Sequence, residues 1–512
     1  SINDVIQTGT NNTWVGGAPL IQYQPEDKTI HPIKHSIFEP SSISDNNITC
    51  LFYDSFEVLW AGTENGLNKL DTRRKAFTFY SQTAKSNDRL PTGEVQAIYQ
   101  DSHGTLWIGI RNNGLFIKRG IQNNHIPFEN NELQGFSGKN ITSFLEDNEG
   151  RLWIGIMGGG LNMIEDPENV WKKDPTFQYY RADQPAGHYL NTWNVRCITQ
   201  ENEHSFWIGT LNGIKHVTFI EENSSIEIDS VRTYSHIAGN DSSLIGDLVN
   251  DIYIDGKKNV WVATSQGLSF LPFENRERGI FTNFFPDIKQ NTISQNSVKK
   301  IFEGDTNTLW FTTQGGGLFK YNKKKKKFKN YTSEEGLLGS IIWGIQKDKR
   351  NNLWLSTNAG LWLFNTSLDT FRNFSTSDGL QNIEFSEFSS FKNNKGEIFF
   401  GGKNGLIRFH PDSIEDNPIP PRVAITSLRI FNQKIEVGDT LNGELVLDSA
   451  ISQKRKLILS HKHNDFSFEF IGLHFASPDQ NRYKYIMEGY DKTWKTTGAE
   501  NRVATYTNLP PG

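Results

Sequence analysis

A tryptophan recurs through this chain in a near-constant setting, and no other feature restricts the fold as much. The unit reads Val or Ile, a few residues, Asp, a turn, an apolar residue, Trp, another apolar residue, Gly or Ala, then a second turn and Gly-Leu. It stands as EVLWAGTENGLNKL at Trp60, GTLWIGIRNNGLFIK at Trp107 and GRLWIGIMGGGLNMI at Trp153. The anchors are Trp14, Trp60, Trp107, Trp153, Trp207, Trp261, Trp310, Trp354 and Phe399, spaced 44 to 54 residues apart. A unit that repeats at this period cannot bury its own faces and must stack on its neighbours.

Each unit divides into four short strands: one ending near the Asp, one carrying the anchor, one opening on Gly-Leu, and a looser aromatic strand such as 77–80. Four strands at this period predict β-propeller blades. The expected fold is therefore all-β, with nine four-stranded repeats. Residues 1–82 read as the last two blades of a first propeller and 83–415 as a seven-bladed second one. No amphipathic helix pattern breaks the series, which excludes a βα solenoid or barrel. Gly158, Gly159 and Gly160 fall where other units hold an ordinary hairpin turn, and no helix pattern follows them. A dinucleotide or P-loop phosphate site would need that helix.

Composition narrows the partners. The 512 residues carry a formal net charge of only -5 with 22% charged and 12% aromatic residues, which fits a soluble folded chain with a large core. It gives no basic field for nucleic acid. The KYNKKKKKF run at 320–328 reads as a solvated hairpin edge. No stretch is apolar enough for a membrane helix. Cys50 and Cys197 are the only cysteines, and no zinc spacing or cofactor motif is present, so the expectation is no metal and no cofactor. Both sit in first strands, where a buried thiol serves as a small hydrophobe.

The repeat stops near Pro411. DNPIPPRV at 416–423 is a stiff junction, and the alternating runs after it predict an Ig-like β-sandwich over 421–512, incomplete at its C-terminus. The blade pattern joined to RYKYIMEGYDKTWKTTGAENRVATYTNLPPG resembles the periplasmic sensor region of Bacteroides-type hybrid two-component systems, in which regulator-propeller repeats precede a Y_Y_Y domain. Tyr485, Gly489, Tyr490, Asp491, Trp494 and Tyr506 carry the second half of that resemblance. It implies a periplasmic, non-enzymatic ectodomain of a membrane histidine kinase. Such an ectodomain binds a carbohydrate fragment and signals through the sandwich in a homodimer, its membrane helix lying outside this chain.

Repeat scaffolds place specificity where a unit departs from its pattern. HYLNTWNVR at 188–196 offers His188, Tyr189, Trp193, Asn194 and Arg196, and LLGSIIWG at 337–344 offers Trp343. An aromatic plane beside amide and guanidinium donors suits an oligosaccharide. The same residues could instead plug the ring, with Arg196 on Asp247 or Glu384. Gln381, Asn382 and Glu384 are secondary candidates, and His236 and His474 read as surface or core. Trp193 ranks above Trp343, having Asn194 and Arg196 beside it. No catalytic group stands out. A polysaccharide lyase or glycosidase assembled from distant blades, and a plain interaction scaffold, remain the alternatives.

Overall fold

The computed structural model describes residues 2–510 apart from 10–11, 27, 38–41, 73–76, 83, 85–87, 127–139, 172–175, 184–188, 223–224, 285–296, 340, 376–377, 382–383, 415–418, 476–477 and 479–480. The chain forms two compact units, one of residues 76–414 and one of residues 1–75 with 415–512.

The first of these is a ring of seven four-stranded antiparallel sheets. Their first strands are Val95–Gln100, Asn140–Glu146, Val195–Asn202, Val249–Ile254, Val298–Asp305, Ile342–Lys347 and Phe385–Lys392, each packed on the next and the last returning to the first. The seventh sheet completes itself with Thr78–Tyr80, whose Tyr80 pairs with Leu406 and Thr78 with Arg408. This corrects the strand assignment of residues 77–80. They belong to the ring and not to the Trp60 blade, and the division falls at 75/76 in place of 82. A ring must bury its two free edges, and borrowing a strand from the other end of the sequence does so.

Alternation along the second strand supplies the packing. In Leu106–Ile110, Trp107 faces forward and clusters with Leu152, Ile154 and Ile156 of the next blade. Leu106, Ile108 and Ile110 face backward onto Phe399 of the preceding one. The pattern repeats with Trp153 against Phe206 and Ile208, and Trp207 against Val260 and Val262. Trp107, Trp153, Trp207 and Trp354 are fully buried, and Trp14, Trp261, Trp310 and Phe399 nearly so.

The Asp of the repeat has a second task beyond its turn. It stands six residues before the anchor, accepts backbone N–H groups of the turn and receives the indole N–H. Trp107 Nε1 donates to Asp101 at 2.8 Å, Trp153 to Asp147 at 2.7 Å and Trp60 to Asp54 at 2.9 Å. The exceptions obey the same chemistry. Phe399 has no N–H to give, and Asn393 stands in place of the carboxylate, its amide donating to Gln100 and Glu397. Gly304 precedes Trp310 because a Cβ there would lie 2.5 Å from the indole nitrogen.

The other unit holds two stacked sheets, Ile2–Thr8 to Thr29–Ile33 and Ile48–Tyr53 to Gly66–Asp71, sharing a core of Trp14, Leu20, Ile48 and Leu59. The Trp60 sheet has three strands among the described residues, not four. Trp60 is half-buried and meets Phe475 at 5.8 Å edge-on, while Lys69 Nζ donates to the Phe475 carbonyl at 2.8 Å. In the same unit Arg422–Ile430, Phe466–Leu473 and Val503–Tyr506 form the sandwich sheet with Gln433–Lys434. Asp491 there accepts from Tyr506 Oη and Met487 N, both at 2.8 Å. His474 is buried against Phe56, and Cys50 is exposed, contrary to the expectation that both thiols are buried. Cys197 is buried, and that burial, aided by Asp251, pushes its thiol up to about 12.

Two outcomes test this packing. Asp101→Ala leaves the Thr105 N–H and the Trp107 indole N–H buried without an acceptor. It should cost about 2 kcal/mol or more in urea unfolding, and a loss within error would remove the carboxylate from the blade's stability. Burial works against the charge of Glu201, but His216, Arg276 and Trp207 outweigh it and hold the carboxyl near about 2. A folded-state value below the unfolded one of roughly 4.3 stabilises above that pH, and the gain fades as pH falls toward 2. Glu201→Gln should therefore flatten the stability curve between roughly pH 4 and pH 2, measured by acid-titrated thermal melts.

Candidate functional site

Every first strand of the ring breaks register just after a Val, Ile or Phe near its start. Gln96 is the unpaired residue between Val95 and Ala97, and Thr142 lies between Ile141 and Ser143. Arg196, Asn250, Lys299 and Trp343 occupy the same place in the next four blades. In the seventh, Phe385 pairs with Gly402 and Ser390 with Phe400, so residues 386–389 all bulge. A bulge re-aims a side chain out of the sheet. Because the first strands neighbour one another around the ring, these seven positions converge.

Five of them line a cavity of about 530 Å³, namely Gln96, Thr142, Arg196, Trp343 and Ser386 to Phe388, with Glu94, Arg111, Asn140, Met157, Asn358, Glu384, Phe385 and Lys403 at its wall, while Asn250 and Lys299 stay out of the lining and bond to Arg196 and Glu387. Three bulge side chains fasten their blade to the next. Thr142 Oγ1 donates to Val195 O at 2.7 Å, Arg196 Nε to Val249 O at 2.8 Å and Asn250 Nδ2 to Val298 O at 2.7 Å. On the other side Glu387 reaches across, its Oε1 3.3 Å from Arg196 Nη2 and 2.9 Å from Lys299 Nζ. The Arg196 guanidinium lies 4.7 Å from the Phe388 ring, and Phe388 itself adopts a positive φ of 66°. Lys299 Nζ sits 5.9 Å from the Trp343 ring.

The structure divides the residues singled out from the sequence. Arg196 and Trp343 enter the cavity, and the carboxylate on Arg196 is Glu387, neither Asp247 nor Glu384. Trp343 belongs to a strand and not to the loop before it. Glu384 lines the cavity and pairs with Lys403, while Gln381 is exposed outside it. Trp193 and Tyr189 are exposed and absent from its lining, and the Arg181 guanidinium lies 5.1 Å from the Trp193 ring. Asn194 accepts from Gly158 N. His188 and Asn382 lie outside the described residues. Gln96, Thr142, Lys299, Glu387 and Phe388 were missed. Aligning the units on the residue after the leading Val or Ile would have found the first three.

The glycine triplet is a turn whose N–H groups are already engaged. Gly158 donates to Asn194 Oδ1, Gly159 to Ile156 O and Gly160 to Trp193 O, leaving none for a phosphate. Gly158 and Gly160 hold φ of 78° and 74°, which explains the residue type. Among the described residues there is no cluster of potential metal ligands, and no helix is long and apolar enough to cross a membrane.

Comparison with known proteins agrees with this architecture. The two component regulator propeller family matches residues 42–65, 89–112 and 135–158, and the Y_Y_Y domain family matches 474–512. A curated relative, Histidine kinase P4 of Formosa agariphila, is 27% identical over 318 residues, 61% of this chain and 22% of the relative. The extracellular domain of a putative hybrid two component system from B. thetaiotaomicron superposes with a TM-score of 0.71 at 24% identity, covering all of this chain and 64% of that one. A second extracellular domain from the same organism, of a putative one component system, gives a TM-score of 0.52 at 22% identity over 66% of its length. The chain thus spans less than two thirds of these proteins, and the structural likenesses speak for the fold. Three of its segments match the two component regulator propeller family, and its last 39 residues match the Y_Y_Y domain family.

Proposed function

We propose that this chain is the periplasmic ligand-sensing part of a membrane histidine kinase, that it takes a carbohydrate fragment at the ring's axis, and that it signals through the sandwich within a homodimer. One observation carries the reading. Bulges from five of the seven blades bring an aromatic plane, an amide, hydroxyls and charged groups into a single cavity of about 530 Å³. Rigid strands present these groups, so the ordering cost is met during folding and not on binding. The mixture of one stacking face with many donors and acceptors suits a sugar ring.

The names of the relatives support the kinase and ectodomain parts of the reading, and the sandwich supports the output. Val423 and Ile425 are exposed beside an apolar cavity of about 450 Å³ that includes Phe468, Phe470 and Tyr485, a face suited to a second copy. A ligand would act by favouring one dimer geometry, within the limit of its differential affinity for the two. A hydrolase reading draws on the three carboxylates Glu94, Glu384 and Glu387 in the cavity. Each is held by a cation, namely Arg111, Lys403, and Arg196 with Lys299, so none stands free as a nucleophile.

Calorimetric titration of the chain against an oligosaccharide panel, with a parallel assay for product release, tests the proposal. Binding without turnover is expected, and steady product release would replace the sensor with an enzyme. Trp343→Ala should weaken binding about tenfold, close to 1.4 kcal/mol, and Trp193→Ala should do less. Unchanged affinity of a folded Trp343→Ala variant would move the site elsewhere.

A further inference from the structure

We infer that the axial cavity is built for an acidic saccharide unit, one bearing a carboxylate or sulfate, in preference to a neutral one. The inference rests on the sensing role proposed above and follows from counting charges. Arg111 pairs with Glu94 at 2.8 Å and Lys403 with Glu384 at 2.5 Å, each cancelling one for one. Arg196, which lines the cavity, and Lys299, which does not, share a single oxygen of Glu387, so this cluster keeps one positive charge in excess although the lining's own cations and carboxylates balance.

The excess cation is poised for a ligand. The remaining bonds of Arg196 go to neutral acceptors, Val249 O and Asn250 Oδ1, and its Nη1 has no hydrogen-bond partner among the described residues. The residue is 8% exposed, so water screens it poorly. A carboxylate or sulfate that takes the place of the Glu387 carboxylate would meet that guanidinium and the Lys299 ammonium in charge-assisted bonds, roughly twice as strong as neutral ones. Beside these groups Trp343 offers its ring for the apolar face of a sugar. On the far wall the carboxamide oxygens of Gln96 and Asn140 are buried without a donor. Rotated toward the cavity, those amides would take sugar hydroxyls. A bare anion would use only the cations, whereas an acidic sugar uses both walls.

The test is calorimetric titration of the intact chain with uronic-acid disaccharides, a sulfated disaccharide and their neutral counterparts, at low and high salt. The acidic members should bind at least about tenfold tighter than the neutral ones and weaken as salt rises. The carboxylate and sulfate arms show which anion is preferred. Lys299→Gln should lower acidic affinity about tenfold, and Glu387→Gln, which removes the internal competitor, should raise it. Lys324→Gln on the exposed 323–327 hairpin should change neither. Equal or tighter binding of the neutral series, or a Glu387→Gln variant as weak as Lys299→Gln, overturns the charge argument and leaves the sensing site in place. Failure of every saccharide to bind overturns both.

Discussion

Twisted sheets stacked face to face cannot keep one distance along their height, and this ring is built around that difficulty. Where neighbouring sheets stand apart, the indole of the anchor fills the gap. Two residues further on, on the same face of the strand, four of the seven interfaces close to contact and only glycine fits. A Cβ on Gly109 would lie 2.7 Å from Ile141, on Gly155 2.7 Å from Val195, on Gly209 2.8 Å from Val249 and on Gly401 2.6 Å from Val95. Real Cβ atoms do not approach so closely, so the wide and narrow ends of these four interfaces are set by two residue types at fixed spacing. The carboxylate six residues earlier then fixes the indole by its N–H, which turns a hydrophobic filler into an oriented one.

That narrow contact also positions the site. The residues pressed against the glycines, Val95, Ile141, Val195 and Val249, immediately precede the bulged Gln96, Thr142, Arg196 and Asn250. Packing pins one residue, and its neighbour in sequence is turned out to the axis with no part in the core. The identity of this residue varies from blade to blade, and as Thr142, Arg196 or Asn250 it also ties its blade to the next. Here it holds a hydroxyl, two amides, two cations and an indole in six successive units, with a wider bulge in the seventh. Stability and specificity are carried by adjacent residues of one strand.

This explains which parts were legible in the sequence. The fold was, because Trp, Gly and Asp recur at fixed offsets and each answers a packing need common to all blades. Ring closure was less so: Thr78–Tyr80 looks like any fourth strand, and only pairing with Leu406 reveals which sheet it completes. Arg196 and Trp343 stood out as departures from an apolar pattern. Lys299 and Gln96 did not, since each reads as an ordinary polar residue of its first strand and a bulge leaves no mark in composition. Glu387 was hidden by the unusual length of its bulge, four residues opposite Gly401 alone. Trp193 stands three residues before Arg196 in sequence yet outside the cavity that Arg196 lines. Its ring lies over Arg181 instead.

The axis is not held equally on its two sides, and this bears on how binding could be felt. Thr142, Arg196 and Asn250 tie their blades to the backbone carbonyls of the next, so that arc of the ring resists change. Lys299 has instead a side-chain partner, Glu387, which stands on a bulge whose Phe388 holds a conformation uncommon for a bulky residue. An anion that engages Lys299 and Arg196 exchanges one side-chain partner for another and spares the carbonyl ties. The group displaced is Glu387, and the strain stored next to it at Phe388 is released or kept according to where that carboxylate goes. A cavity with one fixed wall and one exchangeable wall can bind tightly and still register the event in a single strand, Phe385–Lys392, the same strand whose sheet closes the ring.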